Sequence, residues 1–168
     1  MTVLRSKTRT NTDRDFLELA AAERMNSDDP KAQFVLQSGV GALIVSAGGE
    51  IIARSANVIP PNLKSSPQMT ISEFERYHFI EHAERAAIYS ALAQGRTLVG
   101  STIYCTRFPC SDCARAIVWA GISRAVFSTG LDKEARWKES QRAARHILTR
   151  SGVTVRILRP IVRAVNQT

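Results

Sequence analysis

His82-Ala83-Glu84-Arg85-Ala86-Ala87-Ile88 and, later, Pro109-Cys110-Ser111-Asp112-Cys113-Ala114 read as two helix starts with an apolar, strand-like run at 101–106 between them. In mid-helix, residues two apart point about 200° away from each other, so His82 and Glu84 can share a site only in a first turn. Cys110 and Cys113, three apart at the other start, lie near one another. The unpaired backbone N–H groups and the dipole there lower thiol pKa values. One imidazole and two thiolates are zinc donors. Three protein ligands leave a fourth tetrahedral position for water, the arrangement of a catalytic zinc. Zn2+ is therefore the expected cofactor, held by His82, Cys110 and Cys113. Glu84 is too hard a ligand to be needed beside two thiolates and is placed to handle the water's protons, so it is the expected catalytic residue. A structural zinc knot would want a fourth protein ligand. His78 and His146 are candidates in composition, but nothing in the local pattern brings either to the cysteines.

Working outward, the apolar run 40–46, the pair Gly48-Gly49 and the return run 50–56 read as a β-hairpin. Before it, Phe16, Leu17, Leu19, Ala20 and Met25 recur at helical spacing, with Thr12 or Asp13 as N-cap and an end near Asn26. After it, Pro60-Pro61 makes 57–62 irregular, neither regular helix nor central strand. Asn57 there reads equally as a substrate contact or a turn residue. Residues 65–70 are a loop and 71–77 a short helical approach. A helix from His82 stops at Gly95, a C-terminal cap residue. A second runs from Cys110 to about Gly121, and strands at 124–128 and 153–158 flank a helix over 133–150. The expected fold is α/β: three α/β/α layers, with a mixed five-stranded sheet whose first two strands form an antiparallel hairpin and whose remaining strands are parallel.

The length of 168 residues fits one domain, expected over 13–160, with a loose arm at 1–12 and a tail at 161–168. No apolar run approaches a membrane span and no secretory h-region follows the basic N-terminus, so no membrane partner and a cytoplasmic location are expected. Three cysteines, two at metal-ligand spacing, argue against a disulfide framework, and Cys105 reads as a buried, inert thiol. The formal charge of +8 gathers at the two ends and favours anionic partners, nucleotide or polynucleotide, without choosing between them.

His-x-Glu followed by Pro-Cys-x-x-Cys is the signature of zinc-dependent nucleobase deaminases. With the run Gly95…Leu98-Val99-Gly100-Ser101-Thr102-Ile103-Tyr104 and Ala120-Gly121-Ile122, the chain resembles the cytidine and deoxycytidylate deaminase superfamily over roughly 38–158 and is most similar to its deoxycytidylate (dCMP) branch. Ala86 stands where that branch often has Asn, and Ser55-Ala56-Asn57-Val58 where it often reads Gly-Tyr-Asn-Gly. The resemblance implies a cytidine-deaminase-like fold, hydrolysis of dCMP to dUMP and ammonia, and a homo-oligomer with helices near the site packing between subunits. It also implies that Asn57 contacts the sugar hydroxyl and the Ala83 backbone the base carbonyl. A nucleotide's phosphate needs cations, and Lys64, Arg76 and Arg107 flank the expected mouth. Rival readings are a tRNA adenosine deaminase, with nucleic acid as second-choice partner, a deaminase of a free base or modified heterocycle such as guanine, and a zinc-stabilised binding module.

Overall fold

The computed structural model describes residues 12–34, 39–64, 75–131 and 135–159. In chain order the elements are α1 (Asp13–Glu23), a 3-10 turn (Arg24–Asn26), α2 (Pro30–Phe34), β1 (Gly41–Val45), β2 (Ile51–Ala56), α3 (Pro61–Lys64) and α4 (Arg76–Phe79). Then follow α5 (Ala83–Ala93), β3 (Thr102–Cys105), α6 (Ser111–Trp119), β4 (Arg124–Phe127), α7 (Ala135–Arg150) and β5 (Thr154–Ile157). The strands form one sheet in the order β2-β1-β3-β4-β5. β1 pairs antiparallel with β2 and β3, whereas β3-β4 and β4-β5 are parallel. This is the expected mixed sheet, and β1 is the strand that reverses direction.

Strand alternation divides the core into two. Ala42, Ile44, Ile103, Cys105, Ala125 and Phe127 face one side and are buried with Ala87, Ile88 and Ala91 of α5, Ala114 and Ile117 of α6, and Ala144 and Leu148 of α7. Leu43, Val45, Tyr104 and Val126 face the other and are buried against Phe16, Leu17 and Ala20 of α1. Helices therefore cover both faces. Met25, expected on the apolar stripe of α1, is 72% exposed, because it falls in the 3-10 turn after the α-helical period ends.

Thr12 is the N-cap of α1: its hydroxyl accepts from the Asp15 N–H, and the Asp15 carboxylate accepts from the Thr12 N–H at 2.7 Å. In the hairpin, Gly49 takes φ +87°, a conformation that favours glycine. Residues 61–64 form one helical turn that begins inside the stretch 57–62 expected to be irregular. Pro61 opens that turn at the position where a missing N–H costs nothing. The loop expected at 65–70 and residues 71–74 of the helical approach lie outside the described residues, as do most of the arm at 1–12 and the tail. No described helix is long and apolar enough to cross a membrane.

Candidate active site

The two motif helices bring their first turns together. His82 is the N-cap of α5 and Cys110 the N-cap of α6, both with extended backbone (ψ 145° and 173°), and neither makes the side-chain bond that an N-cap normally provides. Their side chains turn instead toward one another. His82 Nδ1 lies 3.5 Å from Cys110 Sγ and 3.4 Å from Cys113 Sγ, and the two sulfurs are 3.5 Å apart. Tetrahedral zinc, with bonds of about 2.3 Å to sulfur and about 2.0 Å to nitrogen, separates two sulfurs by about 3.8 Å and a sulfur from a nitrogen by about 3.5 Å. The donor triangle fits zinc, and Nδ1 is the nitrogen that would bind it. Among the described residues these three form the one His/Cys/Asp/Glu cluster able to hold a metal, so neither His78 nor His146 joins them.

The sulfurs show the same fit electrostatically. Cys110 is held down to about 4, first by the hydrogen bond with Cys113, whose own thiol is pushed well up by that bond and by burial. Two sulfurs 3.5 Å apart can both become thiolates only with a cation between them. Contact with Cys110 raises His82 in turn. Arg85 adds positive charge here. It donates to Glu81 at 2.6 Å and lies 3.5 Å from Asp112, linking the first turns of α5 and α6.

Glu84, in the first turn of α5, is 3% exposed, and burial pushes its carboxyl above the ordinary range, with His82 opposing. Ala83, beside it, is buried at the first position of α5, where a backbone N–H has no helical acceptor. Asn57 is drawn to the same place. Val58 and Glu81 exchange backbone hydrogen bonds of 3.1 and 2.8 Å, which tie the residue after Asn57 to the residue before His82. Asn57 Oδ1 accepts from the Val40 N–H and the Ser27 hydroxyl, both at 2.8 Å. This fixes the amide orientation and leaves Nδ2 as the group that could meet a ligand.

The three cations expected at the mouth fare differently. Lys64 is ion-paired with Asp28 at 2.7 Å, Arg107 is half-buried in the loop before Cys110, and Arg76 opens α4 with its side chain outside the described set. Cys105 is fully buried with its thiol pushed well up, in keeping with an inert packing residue.

Sequence reading missed the part played by α7. Its Trp137 meets the His82 ring edge-on with centroids 6.1 Å apart, and its Ser140 hydroxyl accepts from the Ser111 N–H at 3.0 Å. Gln141 donates to the Phe108 carbonyl at 3.1 Å. The spacing Trp137…Ser140-Gln141 sets all three near the buried side of α7, a periodic signal without a local motif to name it.

Three protein donors beside a buried carboxylate are the parts of metal-assisted hydrolysis, and the class is that of zinc-dependent hydrolases. Residues 10–129 match the model of the cytidine and deoxycytidylate deaminase zinc-binding region, and the chain belongs to that family of zinc-binding deaminases. It is 31% identical to the probable deoxycytidylate deaminase of Drosophila melanogaster over 82% of this chain and 68% of the relative. Identity to the human deoxycytidylate deaminase is 30%, over 84% and 76% respectively. The crystal structure of the cyanophage S-TIM5 dCMP deaminase shares the fold, with TM-score 0.66 and 23% identity, over 87% of this chain and 96% of that one. Its complex with dCMP and dUMP superposes with TM-score 0.62 at 23% identity, over 86% and 95%.

Proposed function

We propose that the protein hydrolyses dCMP to dUMP and ammonia. The observation that carries this reading is the buried Glu84 carboxylate in the first turn of α5, the helix whose N-cap His82 meets Cys110 and Cys113 of α6 in the donor triangle. The relatives named deoxycytidylate deaminase support the choice of substrate. Bound to His82, Cys110 and Cys113, zinc supplies the Lewis acidity that makes a water nucleophilic at neutral pH. Glu84 moves the protons. It accepts one from the attacking water and passes it to ring N3 so that C4 becomes electrophilic, then takes the remaining proton from the hydroxyl added at C4 and delivers it to the departing amine. Water's oxygen becomes the C4 carbonyl, and the amino group leaves as ammonia.

In this reading Asn57 Nδ2 donates to the sugar hydroxyl and the Ala83 N–H to the base carbonyl. Arg107 and, by exchanging Asp28 for phosphate, Lys64 supply cations to the nucleotide, with Arg76 the third candidate. The catalytic unit is a homo-oligomer, for which Tyr89, Leu92, Val99 and Trp119, exposed around a groove between α5 and α6, offer an apolar face. A cytoplasmic location belongs to the same proposal.

The test is ammonia release by zinc-loaded protein from dCMP, CMP, deoxycytidine, cytidine, guanine and a tRNA. Turnover of dCMP above the others is expected. Turnover confined to guanine or to tRNA would replace the substrate.

A further inference from the structure

Helix α7 carries a line of basic residues that the site does not use. Lys138, Arg142, His146 and Arg150 stand four residues apart and are all exposed. They form one ridge of the helix, about 18 Å from end to end at about 1.5 Å per residue. Arg145 lies beside it with its guanidinium 5.7 Å from the centre of the Phe108 ring, so the cationic surface reaches the loop that leads into Cys110. From residue 140 to 168 the sequence holds six arginines and no Asp or Glu.

Several cations on other elements are ion-paired. Arg54 meets Glu23, Lys64 meets Asp28, Arg96 meets Glu50 and Arg124 meets Asp13. Lys138, Arg142, Arg145 and Arg150 have no ion-pair partner among the described residues, although Glu139 sits on the same helix. A helix face that serves only solubility interleaves both signs and gains from i,i+4 pairs. Among the described residues this face does neither.

We propose that the α7 ridge binds the phosphate backbone of a polynucleotide strand. A line of charge suits a linear polyanion better than it suits a plane of lipid headgroups. Its members step by about 6 Å along the helix, a spacing close to that of neighbouring phosphates along a strand. Guanidinium forks take phosphate oxygens in pairs and stack on exposed bases. No large apolar side chain is exposed along the described helix, so nothing on it would insert among acyl chains. The net charge of +8 adds long-range steering.

The test uses the whole zinc-loaded chain and a fluorescein-labelled oligo(dT) about 20 nucleotides long, followed by anisotropy over a salt series. The affinity should fall with salt at a slope of about −0.7 per phosphate contact. Replacing Lys138, Arg142 and Arg150 together with Gln should weaken binding at least ~10-fold and make the slope shallower by about 2. An Arg54→Gln/Arg96→Gln control should bind as the parent does. Unchanged affinity and slope in the ridge variant, equal loss in the control, or binding to phosphatidylserine vesicles without binding to the oligonucleotide would each overturn the proposal. So would silence toward the oligonucleotide at low salt. Zinc content and circular dichroism show whether each variant is folded, and Lys138→Gln/Arg150→Gln at the ridge ends replaces a triple variant that is not. No substrate is turned over in this experiment, so its outcome is independent of the deamination reading.

Discussion

The Ser140 hydroxyl of α7 accepts the backbone N–H of Ser111 at 3.0 Å, one residue after Cys110. The helix that carries both cysteines is therefore capped from another helix, because its own N-cap side chain is committed to the donor triangle. Ser140→Ala leaves the Ser111 N–H without that acceptor. We expect a loss of about 1 kcal/mol in stability and of about 10-fold in zinc affinity, measured by thermal melting and by competition with a chelator. Ser140→Thr should restore both. Unaltered zinc affinity in Ser140→Ala would limit the contact to packing.

The three cysteines should separate cleanly. Cys110→Ser or Cys113→Ser should abolish stoichiometric zinc, whereas Cys105→Ala should retain it, because Cys105 is buried in the core away from the donor triangle. In zinc-stripped, folded protein a thiol reagent should modify Cys110 and leave Cys105 untouched. Metal content and mass spectrometry of the labelled protein decide both points.

Acid stability should depend on Asp13. Its carboxylate accepts from Arg124 at 2.6 and 2.8 Å, from Tyr104 at 2.9 Å and from Arg156 at 2.8 Å, tying α1 to β3, β4 and β5. Arg124 above all holds it down to about 2. The folded pKa lies below the unfolded one, so the stabilisation is complete above about pH 4 and is lost as pH falls toward 2. Asp13→Asn should remove about 1–2 kcal/mol at pH 7, after allowance for solvent screening, and less at pH 2. Urea melts at both pH values provide the check.

Gly41 is needed for closeness, not for a special backbone angle. A Cβ added there would stand 1.9 Å from the Ala20 carbonyl oxygen, so Gly41→Ala must push α1 off β1. Overpacking of this kind costs about 1–3 kcal/mol. A melting temperature equal to that of the parent would show that the helix moves without cost.

What could be read in the sequence was what local chemistry encodes. The hairpin around Gly48-Gly49, the strand at 101–106, and the two helix starts at His82 and Cys110 each have a short-range cause, and together they give the sheet and the donor set. The pairing of Lys64 with Asp28 and the grip of α7 on Ser111 and Phe108 are contacts distant in sequence, made by residue types that also occur on any helix surface. Asn57 lay between. Its type admitted a turn role, and only the bonds from Val40 and Ser27 show that its amide is oriented. The basic ridge was visible as charge, but its lack of ion pairs among the described residues needed the fold.

Parent and Glu84→Gln proteins, both with zinc content measured, should be compared for ammonia release from dCMP. Stoichiometric zinc is expected in both, with turnover in the parent and a loss of ~10²- to 10⁴-fold in the variant. A Glu84→Gln protein that keeps zinc and still turns over dCMP near the parental rate would contradict the role assigned to the buried carboxylate, and with it the mechanism.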